Sequence, residues 1–350
     1  MRKTTMVLAL ASMIAVAPLQ AQQADPPPAN AVLPVATPPA PPADGIRTEA
    51  TVVVTGEQPG PGLWLVRKDS NELYILGTLN PLPANMQLAS SGIDAVISRA
   101  QEVIRAPYLS VGSDASKFRM LLLLPSLIGI RNNPDGKTLE DVMPPALYAR
   151  WRAFKERFLP DERKVEKMRP MFAAQELYQA VIKRSAMTNK DPSAALVTAA
   201  IEKYHPPVSV VKLELKVKDP KAVIRQMKTA RFDDVACMER TLDRLGVDLE
   251  VLRLRANAWA TGDIATLKAN PVPSHYQACL DAVSESAIGQ QVGMGDGAAR
   301  VKAMWLAKAD QALASNNTTF AVLPISDMLE AGGYLDALRA KGYTVLAPDE

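Results

Sequence analysis

The chain has 350 residues, of which 48% are hydrophobic, with 40 basic against 37 acidic side chains. That supplies a core for one large domain or two small ones. Without Arg2 and Lys3, which belong to a removable leader, 38 basic residues face 37 acidic ones. The resulting charge of about +1 gives no reason to expect a nucleic-acid partner.

Met1-Arg2-Lys3 forms a positive start, and Thr4 to Ala17 is an uncharged run of apolar and small residues stopped by Pro18. A membrane-spanning helix needs about 20 apolar residues, so this pattern predicts a signal peptide over 1–21, cut after Ala21. The mature protein is then periplasmic or secreted, with no integral membrane segment. No cysteine lies near the cut, which excludes a lipoprotein anchor. Residues 22–51 are rich in Pro and Ala and too poor in bulky side chains to offset the entropy of ordering, so they read as a disordered linker. Residues 52–350 are expected to form a single domain.

Leu63-Trp64-Leu65-Val66-Arg67 and Leu73-Tyr74-Ile75-Leu76-Gly77 are β-prone runs around the turn cluster Lys68-Asp69-Ser70-Asn71, which predicts a hairpin. Ser90 to Ala100 carries Ile93, Val96, Ile97 and Ala100 at helical spacing, and Glu102-Val103-Ile104-Arg105 reads as a strand. Met120-Leu121-Leu122-Leu123-Leu124-Pro125 is too short to span a membrane and reads as a core helix. Residues 139–204 are helical by pattern, with Pro144-Pro145 and Pro170 as punctuation. The mixed-sign run Asp161 to Lys167 is expected to be a solvated helix face.

Val208 to Leu213 is β-branched and reads as a buried strand. Asp219-Pro220 then opens a helix as N-cap and first helical residue. Long helices are expected over Phe232 to Thr261, broken by Gly262-Asp263, and over Gly297 to Ser315. Thr319 to Leu323, Gly333 to Ala340 and Thr344 to Leu346 close the chain as strand, helix and strand. The whole describes an α/β fold: a central mixed β-sheet flanked by helices, with a helical insertion in the middle.

Cys237 and Cys279 are the sole cysteines. In an exported chain one disulfide is the economical reading, with two buried thiols or a metal site as the alternatives. Gly293-Met294-Gly295-Asp296-Gly297 lacks the preceding strand and the Lys-Ser/Thr of a phosphate loop, and reads as a turn. Neither His205, in a helix-to-strand loop, nor His275, at a helix start, has a partner pattern for catalysis. No Gly-x-Ser-x-Gly elbow is present.

The strand ending in Gly77-Thr78-Leu79-Asn80, the stretch Trp259-Ala260-Thr261-Gly262-Asp263, and the C-terminal strand, loop and Gly333-Tyr334-Leu335-Asp336-Ala337-Leu338 resemble, in that order, the TraB/GumN family. The resemblance runs from about Leu63 to Pro348. It implies an α/β/α fold shared with Tiki-type metalloproteases and erythromycin-esterase-like proteins, and a metal-dependent hydrolase. The site implied is a Gly-Thr-x-His at the first strand, a Gly-x-x-His at the last, and a glutamate after the second.

This chain departs from all three. The first histidine position holds Asn80, an uncharged amide that cannot act as a base. In the last motif the glycine falls on Pro324, whose φ is fixed, and the histidine on Asp327. The glutamate falls near Ala106, between Arg105 and Pro107. The expectation is therefore a family member without catalysis, a pseudoenzyme with no cofactor, acting by binding a protein or small-molecule ligand. The alternative is a divergent metal-dependent hydrolase, protease-like or esterase-like, in which Asn80 and Asp327 lend oxygen ligands to a divalent cation such as Mg²⁺ or Ca²⁺.

Overall fold

The computed structural model describes residues 57–348 apart from 59, 115, 117–120, 231, 233, 247–248 and 272–274. The expected leader over 1–21, the linker over 22–51 and the start of the domain at 52 lie outside the described residues.

In chain order the strands are β1 (Glu57–Gln58), β2 (Leu63–Lys68), β3 (Asn71–Thr78), β4 (Leu82–Pro83), β5 (Gln87–Leu88), β6 (Glu102–Gly112), β7 (Met187–Thr188), β8 (Val208–Lys216), β9 (Thr318–Pro324) and β10 (Thr344–Leu346). Six of them form the central sheet in the order β10-β2-β3-β9-β6-β8. The first two pairings are antiparallel, and β3/β9, β9/β6 and β6/β8 are parallel. The expected mixed sheet is therefore present, with the last long strand inserted between two early ones. The predicted hairpin is β2 and β3, paired from Leu63↔Leu76 to Lys68↔Asn71.

Alternation of side chains builds the core. Trp64 and Val66 from β2, Leu73 and Ile75 from β3, and Ala321 and Leu323 from β9 point to one face. There they meet Trp259, Trp305, Ala309 and Leu338 from the covering helices. The opposite face carries Leu76, Val103 and Phe320 against Ile93, Val96 and Ile97 of helix Ser91–Ile97, and against Val197 and Ala200 of helix Pro192–Tyr204.

The middle of the chain is the expected helical insertion, with helices Leu139–Val142, Pro145–Phe158, Pro170–Arg184 and Pro192–Tyr204. Pro145 and Pro170 stand at helix starts, where the missing N–H costs nothing. The insertion has its own core, in which Trp151, Leu177, Met238 and Leu242 pack together. Cys237 and Cys279 are joined by a disulfide, which ties helix Val235–Gly246 to helix His275–Ser284.

Several expectations are corrected. The strand expected over Glu102–Arg105 runs on to Gly112, because a register shift between Arg105 and Tyr108 absorbs Pro107. Val208 to Leu213 belongs to an edge strand, not a buried one: Val211, Leu213 and Leu215 face inward, while Val208 and Val210 are exposed. The run Phe232–Thr261 is divided into helices Val235–Gly246 and Leu249–Thr261. The charged run Asp161–Lys167 is solvated as expected, with Asp161 to Lys164 and Lys167 exposed, but it ends in a short 3₁₀ turn with Val165 buried rather than in a helix face. Leu121, Leu122 and Leu124, expected in a core helix, are exposed, and among the described residues of that run only Leu123 is buried. Short strands β4 and β7, which link the insertion to the sheet, carry too few residues to show a period.

Candidate functional site

The parallel strands β3, β9, β6 and β8 end at one side of the sheet, the edge at which open α/β sheets bind ligands. At that side the sheet forks. β9 stays with β3 to its last residue, Gly77↔Leu323 and Thr78↔Pro324, but pairs with β6 only from Glu102↔Thr319 to Ile104↔Ala321. Beyond Ile104 the irregularity at Arg105–Tyr108 carries β6 away with β8.

Gly77, Thr78 and Pro324, expected at one site, are thus brought side by side. A Cβ on Gly77 would stand 3.1–3.2 Å from the Ile325 side chain, so glycine lets the chain after β9 cross close over β3. Thr78 Oγ1 donates to the carbonyl of Leu323 at 3.4 Å. Behind them the indole Nε1 of Trp259 donates to the Gly77 carbonyl at 2.6 Å. Gly262, at φ 76°, then ends that helix, and Asp263 caps the next by accepting from Thr266 N–H.

Asn80 follows β3, is exposed, and precedes a cis peptide to Pro81. With its amide oriented to satisfy its surroundings, the side-chain nitrogen donates to the carbonyls of Asn189 and Leu79, each at 3.0 Å. Its own carbonyl accepts from Arg244 at 3.3 Å. The Ala84 N–H bonds the Ala186 carbonyl at 2.9 Å, and β4 pairs with β7. The loop after β3 is therefore stitched to the helical insertion, and Asn80 is one of the stitches.

Asp327 lies in helix Ile325–Leu329 directly after β9. Burial holds its carboxyl above the usual range, against a bond from Ser326 Oγ at 2.8 Å. Glu330 is also raised, by burial and by the nearby charge of Asp327, with Lys302 opposing. Tyr334, buried and in edge contact with the Trp305 ring at 5.1 Å, is pushed up to about 12 by burial and the two carboxylates. Lys302 donates to the Gly332 carbonyl and lies 5.7 Å from the Tyr334 ring. The end of β9 thus carries two carboxyl groups whose pKa is raised by burial, with the Lys302 ammonium nearby.

These residues do not fit the metal that the resemblance implies. The Asn80 amide nitrogen is held by two carbonyls, so the residue has only a neutral, weak oxygen to offer a metal. Asp327 sits where burial disfavours its charged form. Among the described residues Asn80 and Asp327 share no hydrogen-bond partner, and no group of three His, Cys, Asp or Glu converges. Ala106 lies inside β6, not after it, so the third position offers neither a ligand nor a loop. His205 is an exposed helix C-cap at φ 51°, away from the fork residues in sequence and element. His275 opens helix His275–Ser284. The glycine cluster ends one helix at Gly293 and starts the next at Gly297, whose missing Cβ makes room for Leu109.

Sequence reading assigns no site role to Glu330, Tyr334 or Lys302, and Tyr334 enters it only within the Gly333-Tyr334 motif. The first two stand within ten residues of Pro324, so proximity to the motif was a usable signal. Lys302 is brought in by the tertiary fold alone.

The fold is a mixed α/β sheet, with the motif residues of β3 and β9 side by side at the carboxyl ends of those strands. A family model for the TraB/PrgY/gumN family matches residues 62–347, and the chain belongs to that family. Searches of the curated proteins and of the solved structures returned no match.

Proposed function

We propose that this protein is an exported, non-catalytic member of the TraB/PrgY/gumN family that binds a protein or small-molecule ligand at the fork between β9 and β6. The observation that carries the reading is the Asn80 amide. At the position where the family resemblance calls for a metal-binding base, it holds the backbone carbonyls of Leu79 and Asn189. Asparagine there serves the join between sheet and insertion. The acidic pair Asp327 and Glu330, with Tyr334 and Lys302, offers hydrogen-bonding groups to a ligand. Support for export comes from the leader pattern over 1–21 and from the Cys237–Cys279 bridge, which an oxidising compartment maintains. Among the described residues no helix is long and apolar enough to cross a membrane.

The test is hydrolysis of a peptide mixture and of simple esters in the presence of Mn²⁺, Co²⁺ or Zn²⁺. Turnover no greater than that of an Asp327→Ala variant is expected. Metal-dependent turnover that the variant loses would overturn the reading.

A further inference from the structure

A second surface follows β6 in the chain. The large hydrophobic side chains Leu121 (59% exposed), Leu122 (62%), Leu124 (38%), Leu127 (36%) and Ile128 (77%) crowd one segment around a 3₁₀ turn, Leu124–Leu127. Scattered exposed leucines need no explanation, whereas a contiguous set marks an interaction surface.

What lies beside it gives the partner's chemistry. Helix Pro220–Thr229 packs against the 3₁₀ turn and has no buried residue of its own. Its Lys221 and Arg225 are exposed, as is Lys218 just before it. The sole acid between Lys216 and Lys228 is Asp219, and its carboxylate is occupied by the Ala222 N–H at 3.0 Å as the helix cap. Lys216 is paired with Asp114 at 3.1 Å and Arg131 with Glu176 at 2.5 Å, so they add little net charge. Between Ser116 and Arg131 the sequence has no acidic residue. The buried guanidinium of Arg169 donates to the carbonyls of Ala230 and Met227, each at 2.7 Å, and so fixes the helix C-terminus in place beside the turn.

We propose that the turn and its basic flank dock on an anionic lipid bilayer. Aliphatic tips enter the interfacial region while neighbouring cations meet anionic headgroups, the two contributions that hold peripheral proteins on membranes. Residues 121–128 contain none of the Trp, Tyr or Arg anchors that dominate protein–protein hot spots. The one-signed charge next to them complements a lipid surface. This inference is independent of what the fork binds.

The experiment is flotation of the purified protein with vesicles of phosphatidylcholine, alone or with about a third phosphatidylglycerol, at low and high salt. Two surface variants accompany it, Leu122→Ser with Ile128→Ser, and Lys221→Glu with Arg225→Glu. All four positions are solvent-exposed, and thermal melts verify that the fold is kept. Binding to the anionic vesicles is expected, weakened by salt and reduced roughly tenfold or more in each variant. Absence of binding, equal binding to neutral vesicles, or binding that survives both variants overturns the proposal. So does a wild type that ignores vesicles but self-associates in light scattering through Leu122 and Ile128.

Discussion

Trp259 Nε1 donates to the carbonyl of Gly77 at 2.6 Å, joining a helix late in the chain to the end of the strand that frames the fork. Trp259 is 2% exposed, so this bond has no competing water. A Trp259→Phe variant keeps most of the packing and strands the carbonyl, at a cost of about 1–2 kcal/mol. A urea melt should show a lower midpoint with an unchanged slope.

That bond also shows what the sequence made legible. The Trp-x-x-Gly-Asp stretch was readable as a motif because tryptophan, a positive-φ glycine and an N-capping aspartate each have local signatures. Its partner Gly77, 182 positions away, has none. Sheet class, hairpin and helix starts at Pro145, Pro170 and Asp219 followed from periodicity and capping chemistry. The fork did not, because it depends on where β9 inserts and on how the chain accommodates Pro107 within β6. The exposed Leu121 and Leu122 escaped for the opposite reason: an apolar run in sequence carries no sign of which side faces solvent.

The stitch at Asn80 should be structural. Asn80→Ala removes two bonds to carbonyls at an exposed position and should cost about 1 kcal/mol. Asn80→His should likewise destabilise and confer no hydrolytic activity. Chemical denaturation and the ester assay read the two effects separately.

Glu102, at the start of β6, is buried. Burial pushes its carboxyl up, but hydrogen bonds from Lys308, Ser209 and Asn316, with the Lys308 charge, outweigh burial and leave it below the usual range. The Lys308 ammonium lies 2.6 Å away. A carboxylate depressed in the folded state contributes stability above its unfolded pKa, and that contribution is lost as pH falls through the folded value. Glu102→Ala should destabilise by about 1–3 kcal/mol at neutral pH, since the Lys308 ammonium is partly solvated. The gap to wild type should narrow in acid, as melts from neutral to acidic pH will show.

Asp327 has the opposite sign. Its carboxyl is raised by burial, so the folded protein loses stability as pH rises from the unfolded to the folded pKa. Asp327→Asn should therefore raise the melting temperature at neutral pH, and the gain should vanish below the ordinary carboxylate range.

The Cys237–Cys279 bridge spans 42 positions, and closing a loop of that length restricts the unfolded chain by roughly 3–4 kcal/mol. Reduction, or a double Cys→Ser variant, should lower the melting temperature. The loss should centre on the insertion, read by faster hydrogen exchange in helices Val235–Gly246 and His275–Ser284.

We propose that the fork keeps the family fold without its metal chemistry. Calorimetric titration of the purified protein with Mn²⁺, Co²⁺ and Zn²⁺ tests it most directly. No saturable heat at one metal per chain is expected. A one-site isotherm for any of these ions that disappears in the Asp327→Ala variant would contradict it.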